Sequence, residues 1–210
     1  MRSVSLLAIG VTMLCCCIIS AGQNGEAKDL EGDSLGAKYH NDQLGFEISI
    51  PSGWYIAESS QLETYAEKGR KDLGEGYKLS KETIAHNKDV ENIILGISKM
   101  PIGARKNSLF GFSVTKQPSD AITSKMVAEY TKRIFLKDAN NRLTKEIAVR
   151  KIGGLDFATF DFDVSSDMGD QHVRIFIVNL KSRSLTFALT YWDNNGDLGL
   201  MTKAVESIRF

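Results

Sequence analysis

Beyond Cys17 this chain has no cysteine; its three thiols stand side by side at Cys15, Cys16 and Cys17. That excludes a disulfide framework, a thiolate nucleophile and a cysteine-based zinc site from everything downstream. An oxidising compartment permits disulfides without requiring them. An excess of one charge is also missing. The chain carries 26 Lys and Arg against 26 Asp and Glu. A nucleic-acid binder shows a basic excess or stripe, and Lys145, Arg150 and Lys151 make only a thin cluster, so no nucleic-acid partner is expected. The Gly-x-Ser-x-Gly and P-loop signatures of nucleophile elbows and phosphate cradles are absent too, as is any internal repeat.

What is present begins with a leader. Arg2 is the only charge before Glu26, and the chain from Val4 to Ile19 is apolar apart from Ser5, Gly10 and Thr12. A lone cation, a short apolar run and then Ser20, Ala21 and Gly22 is the layout of a secretory signal. A bilayer-spanning helix needs about 20 apolar residues, which makes this run marginal as an anchor. The reading is an export signal over residues 1–22, placing the rest in the periplasm or cell envelope. Two fates for the cysteines stay open. Cleavage near Ala21 or Gly22 discards all three. Alternatively, Leu14 stands three before Cys17 in a loose lipobox, which makes Cys17 a candidate for lipidation and membrane attachment. Several acyl chains would hold the protein firmly, at about 0.8 kcal/mol per buried methylene.

Residues 23–38 ("QNGEAKDLEGDSLGAK") are polar and nearly free of large apolar side chains, as in a flexible linker. Residues 39–210 have the size of one ordinary domain, large enough to bury a core without staples.

Within that domain Phe46, Ile48 and Ile50 alternate with polar residues at the period of a strand. Pro51 ends the strand, and Trp54 to Ile56 resume it. Helices are expected over 59–74 and 80–87, and strands at Ile93 to Met100 and Leu109 to Thr115. Pro118-Ser119-Asp120 opens a further helix, with the stripe Ile122, Met126, Tyr130 and Ile134 widened by Val127 and Phe135. A four-strand meander follows, with a Gly153-Gly154 hairpin, a turn over Ser165 to Asp170, and a strand from Val173 to Leu180 apolar on both faces. A last helix capped at Asn194 or Asn195 carries Leu198, Met201, Val205 and Ile208 on one stripe. Hairpins rather than βαβ alternation predict an α+β fold, an antiparallel sheet with helices packed on it.

The opening "YHNDQLGFEISIPSGW", the hairpin "KIGGLDFATFDF", the strand pair "VRIFIVNLKSRSLTFALTY" and the terminal "AVESIRF" resemble the PsbP-like superfamily. That group includes DcrB-like bacterial lipoproteins and the photosystem II extrinsic protein P. The resemblance implies an antiparallel sheet sandwiched by helices. It also implies a non-enzymatic role, binding or stabilising a protein partner, often in the envelope, with no cofactor. No motif selects one branch of the group.

Few residues remain as candidates for chemistry. Asp161, Asp163, Asp167 and Asp170 form the richest acidic cluster, and Asp161 and Asp163 share one strand face. Calcium takes several carboxylate oxygens, but the spacing fits no EF-hand loop, and the plainer reading is a solvated strand face running into a polar turn. His40, His86 and His172 are too scattered for a zinc site. A hydrolase built on His172 with Asp161, Asp163 or Asp170 remains an alternative, since triads assemble from distant positions. Trp54, Tyr55, Tyr191 and Trp192 fall at strand ends, where rings either close a core rim or anchor a partner. The loop 103–107 carries Arg105 and Lys106, which could meet an acidic partner or lipid headgroups, but two cations are few for a membrane surface and the plainer reading is a solvated loop.

Overall fold

The computed structural model describes residues 35–42, 44–57, 93–101, 104–117, 119–166, 168–181, 183–192 and 195–210. Cys17 and the expected leader, the expected helices at 59–74 and 80–87, His86 and Asp167 lie outside the described residues.

Nine strands and two helices make up the described fold. In chain order they are β1 (Leu35–Asn41), β2 (Phe46–Pro51), β3 (Tyr55–Ala57), β4 (Ile93–Ser98), β5 (Leu109–Lys116), α1 (Ser124–Phe135), β6 (Asn141–Ile152), β7 (Leu155–Ser166), β8 (Gly169–Leu180), β9 (Arg183–Tyr191) and α2 (Asn195–Glu206). β1 and β2 pair alone, and the other strands form one sheet in the order β3-β4-β5-β9-β8-β7-β6. Every pairing is antiparallel. Gly153 and Gly154, at φ of 56° and 84°, form the tight β6–β7 turn that the sequence predicts.

The large sheet is covered on both faces. On one, Phe110, Phe112, Phe157, Phe176, Phe187 and Leu189 pack against Phe46, Ile48 and Ile50 of β2 and Met201, Ala204 and Val205 of α2. On the other, Val127, Ala128 and Phe135 of α1 meet Phe160, Phe162, Val173, Ile175 and Ile177. The fold is therefore α+β with an antiparallel sheet between two outer layers, one of them a helix joined by a two-stranded ribbon. β8 contributes to both cores, in line with its apolar run Ile175 to Val178.

Three expectations change. Leu35 to Lys38 belong to β1 rather than to a linker, because Lys38, Tyr39 and His40 pair with Ser49, Ile48 and Glu47; strand pairing supplies the partners that composition does not reveal. Trp54 to Ile56 do not extend β2, since β3 crosses to the edge of the other sheet. α1 begins at Ser124 with Thr123 as its cap, accepting from the Met126 N–H, rather than at Pro118-Ser119-Asp120. Its buried face is Val127, Ala128, Thr131 and Phe135, and Met126 is exposed. The Ser124 hydroxyl donates to the Asp156 carbonyl at 2.8 Å and accepts the Asn179 N–H at 3.0 Å. Those two bonds dock the helix start on β7 and β8 and fix its rotation.

Candidate functional site

Asp161 and Asp163 lie on the α2 side of β7, opposite Phe160 and Phe162, which enter the α1 core. Strand alternation sets this. Register then decides their partners. Asp161 faces Arg174 of β8 and Lys145 of β6; Asp163 faces His172 and Arg142.

Arg174 grips Asp161 in a fork, Nε to Oδ1 at 2.8 Å and Nη2 to Oδ2 at 2.7 Å, while the Lys145 ammonium stands 3.4 Å from Oδ2. Asp163 is shared: Arg142 Nη2 donates to Oδ2 at 2.7 Å, and His172 Nδ1 lies 2.7 Å from Oδ1. Asp170 accepts from the Ser165 hydroxyl at 2.9 Å and reaches Arg142 at 3.9 Å. The two β7 carboxylates are buried, with side chains 12% and 7% exposed, whereas Arg142 is largely in solvent. The planar guanidinium suits the buried fork because it satisfies both carboxylate oxygens at once.

Tyr191 closes this network beside α2. Its ring centroid lies 5.1 Å from that of His172. Burial pushes its phenol up from 10.0, the Asp161 and Asp163 charges add to that, and Arg174 opposes it. Arg174 is raised in turn by its hydrogen bond to Asp161. The sequence reading did not single out Arg142 or Arg174, and it saw Lys145 only as part of a thin basic cluster. Cross-strand register was the missing information.

The acidic cluster thus resolves into pairs. Asp161 and Asp163 come together with His172, Asp170 sits at the start of β8, and His40 lies at the far end of β1 beside Asp42 at 3.0 Å. Among the described residues, no group of three His, Cys, Asp or Glu side chains is placed to hold a metal ion. The oxygens a calcium ion would need on Asp161 and Asp163 already accept from cations. His172 with Asp163 is the imidazole–carboxylate half of a triad, but the second oxygen of that carboxylate is bound by Arg142, and Tyr191 lies against the ring.

The aromatic candidates gather at one end of the fold. Trp192 is buried with the Lys106 ammonium 5.6 Å above its ring; Tyr55 is exposed, and Trp54 packs against the core edge. No helix among the described residues is long and apolar enough to cross a membrane.

No family model matches the chain, and no curated protein matches it in sequence. Solved structures do resemble it. The cyanobacterial PsbP protein (CyanoP) of Synechocystis sp. PCC 6803 superposes with a TM-score of 0.52 at 15% identity, covering 88% of this chain and 97% of that one. LpqN of Mycobacterium tuberculosis, described as involved in cell envelope biogenesis, gives 0.50 at 10% identity over 83% of this chain and 84% of its own. The three-layer arrangement of an antiparallel sheet under helices, shared with CyanoP and LpqN across most of the chain, is the PsbP-like fold.

Proposed function

We propose that this protein is a non-catalytic binding or assembly protein acting outside the cytoplasm, cleaved or lipidated at its leader. One observation carries the reading: the acid-base groups gathered on the sheet face satisfy one another. Asp161 is held by Arg174, and Asp163 by both Arg142 and His172. A general base needs a lone pair within reach of a substrate proton, so neither Asp161 nor Asp163, each bound on both oxygens, is free to act as one itself. The apolar leader of the sequence supports the compartment, and the envelope role in the description of LpqN agrees with it.

Crosslinking in intact envelopes, followed by mass spectrometry of the N-terminus and of the captured neighbours, tests this. A processed or acylated N-terminus with a reproducible protein neighbour is the expected result. An intact Met1 in the cytosol removes the compartment. Turnover of a defined ester or phosphate substrate that disappears in His172→Ala removes the non-catalytic role.

A further inference from the structure

The register brings the start of β1, the exposed Tyr55, the half-buried Trp54 and two exposed cations to a single end of the fold. Tyr55 pairs with Ser98, Ser98 with Leu109, and Leu109 with Thr190. One row of residues therefore runs across β3, β4, β5 and β9. Immediately beyond it lie the Ser52-Gly53-Trp54 turn, the β4–β5 loop and Trp192. Leu35 pairs with Pro51, so β1 starts beside that same turn. β1 approaches it closely: a Cβ on Gly36 would sit 3.3 Å from the Ser52 Cα.

Asn107 and Asp197 brace the described residues of the β4–β5 loop. The Asn107 side chain accepts the Met100 N–H at 2.9 Å and donates to the Met100 and Pro101 carbonyls at 2.8 and 3.3 Å. Asp197, in the first turn of α2, takes Lys99 at 2.9 Å and the Ser108 hydroxyl at 2.7 Å. On this base Lys106 adopts φ of 51°, and both Arg105 and Lys106 are exposed. Among the described residues, the carboxylates at this end have partners: Asp197 holds Lys99, Asp163 holds Arg142 and His172, Asp170 accepts from Ser165, and Asp138 accepts the Asn140 N–H. Tyr55 and Ile56 are 43% and 51% exposed.

We infer that this pole docks on an anionic lipid surface. Trp and Tyr favour the membrane interface, and each Lys or Arg near an anionic bilayer adds about 1 kcal/mol of attraction. The start of β1 at the same pole lets a leader or acyl chain in the bilayer hold these groups against it. The inference builds on the envelope reading but is read out separately from it, because N-terminal mass reports export whereas the following measurement reports orientation.

The test is hydrogen exchange of the full chain mixed with vesicles of phosphatidylglycerol and phosphatidylcholine, compared with phosphatidylcholine alone. Residues 52–56 and 104–107 are expected to exchange more slowly on the anionic vesicles only. The opposite pole, with Gly45, Gly153, Gly154 and Phe210, is expected to be unchanged. Arg105→Ala with Lys106→Ala should weaken docking roughly 30-fold, from two surface cations, and return residues 104–107 to their rate on neutral vesicles. Lys151→Ala, at the far pole, should leave the pattern intact, and thermal melts confirm that each variant folds. Protection at the far pole, equal protection on neutral vesicles, or protection only by a lipid-free envelope protein fraction would each overturn the inference.

Discussion

His172 Nδ1 and Arg142 Nη2 bind the two oxygens of one carboxylate, Asp163, each at 2.7 Å. The three residues come from neighbouring strands, β8, β6 and β7, so the contact ties the edge strand β6 and its neighbour β7 to β8. It also leaves Asp163 almost fully buried with a charge that its neighbours must balance.

Asp163→Asn should therefore destabilise the protein by about 1.5–3 kcal/mol, the range for hydrogen bonds to charged groups. Lys151→Ala, on an exposed pair with Asp156, should stay within about 0.5 kcal/mol of wild type. Urea denaturation of both variants checks the contrast, and equal stabilities would show that the Asp163 contacts contribute little.

Arg174 and Asp161 make the more buried pair. Arg174→Ala should lose about 3 kcal/mol, near the lower end for a broken buried pair, because both side chains retain some solvent contact. Arg174→Lys should recover only part of it, since an ammonium cannot fill the fork. Combining Arg174→Met with Asp161→Asn should be less damaging than the sum of the two single changes. A double-mutant cycle by chemical denaturation measures that coupling, and simple additivity would contradict it.

Tyr191 predicts an alkaline weakness. Its folded pKa lies above the unfolded value near 10.0, so the folded state holds the phenolic proton more tightly. That stability is complete below about pH 10 and is lost as pH rises from there through the folded pKa. Lys132, raised chiefly by its bond to Glu146, has the same sign and is common to both proteins compared. Tyr191→Phe should flatten the alkaline decline in denaturation midpoints between pH 9 and 11. An identical decline in both proteins would remove the assignment.

The β6–β7 turn distinguishes two neighbouring glycines. A Cβ on Gly153 would lie 2.7 Å from the Ile208 carbonyl oxygen, whereas one on Gly154 meets nothing within 4 Å. Both have positive φ, so each alanine is strained by about 1–3 kcal/mol. Gly153→Ala should be the worse of the two, because the backbone after α2 must also move. Thermal melts of the two variants test the order.

Calcium should leave the melting temperature unchanged relative to a chelator. A ligand of the folded state present at 100 times its dissociation constant would add about 2.7 kcal/mol, a shift easily seen in a melt. An increase would mean that calcium displaces cations from the Asp161 and Asp163 pairs.

Local periodicity and turn chemistry were legible in the sequence for clear reasons. The four-strand meander, the Gly153-Gly154 hairpin and the terminal apolar stripe depend on residues close together in the chain. The face shared by Asp161 and Asp163 follows from alternation alone. The start of α1 is not legible in the sequence because Thr123 and Ser119 are both good cap residues; the contacts of Ser124 with Asp156 and Asn179, 32 and 55 residues away, select between them. β1 was missed because Gly36 and Ala37 carry no strand pattern.

By itself the sequence determined an apolar N-terminal run with a cysteine-free remainder behind it, the hairpins and the alternation that divides each strand between two faces, because those properties are local to the chain. Tertiary structure alone decided that β3 leaves β2 for another sheet, that Arg142 and His172 share Asp163, and that Leu35, Tyr55 and Lys106 reach one pole. Each of these depends on strand order and register, which are set by the burial of two aromatic-rich cores and not by any single segment.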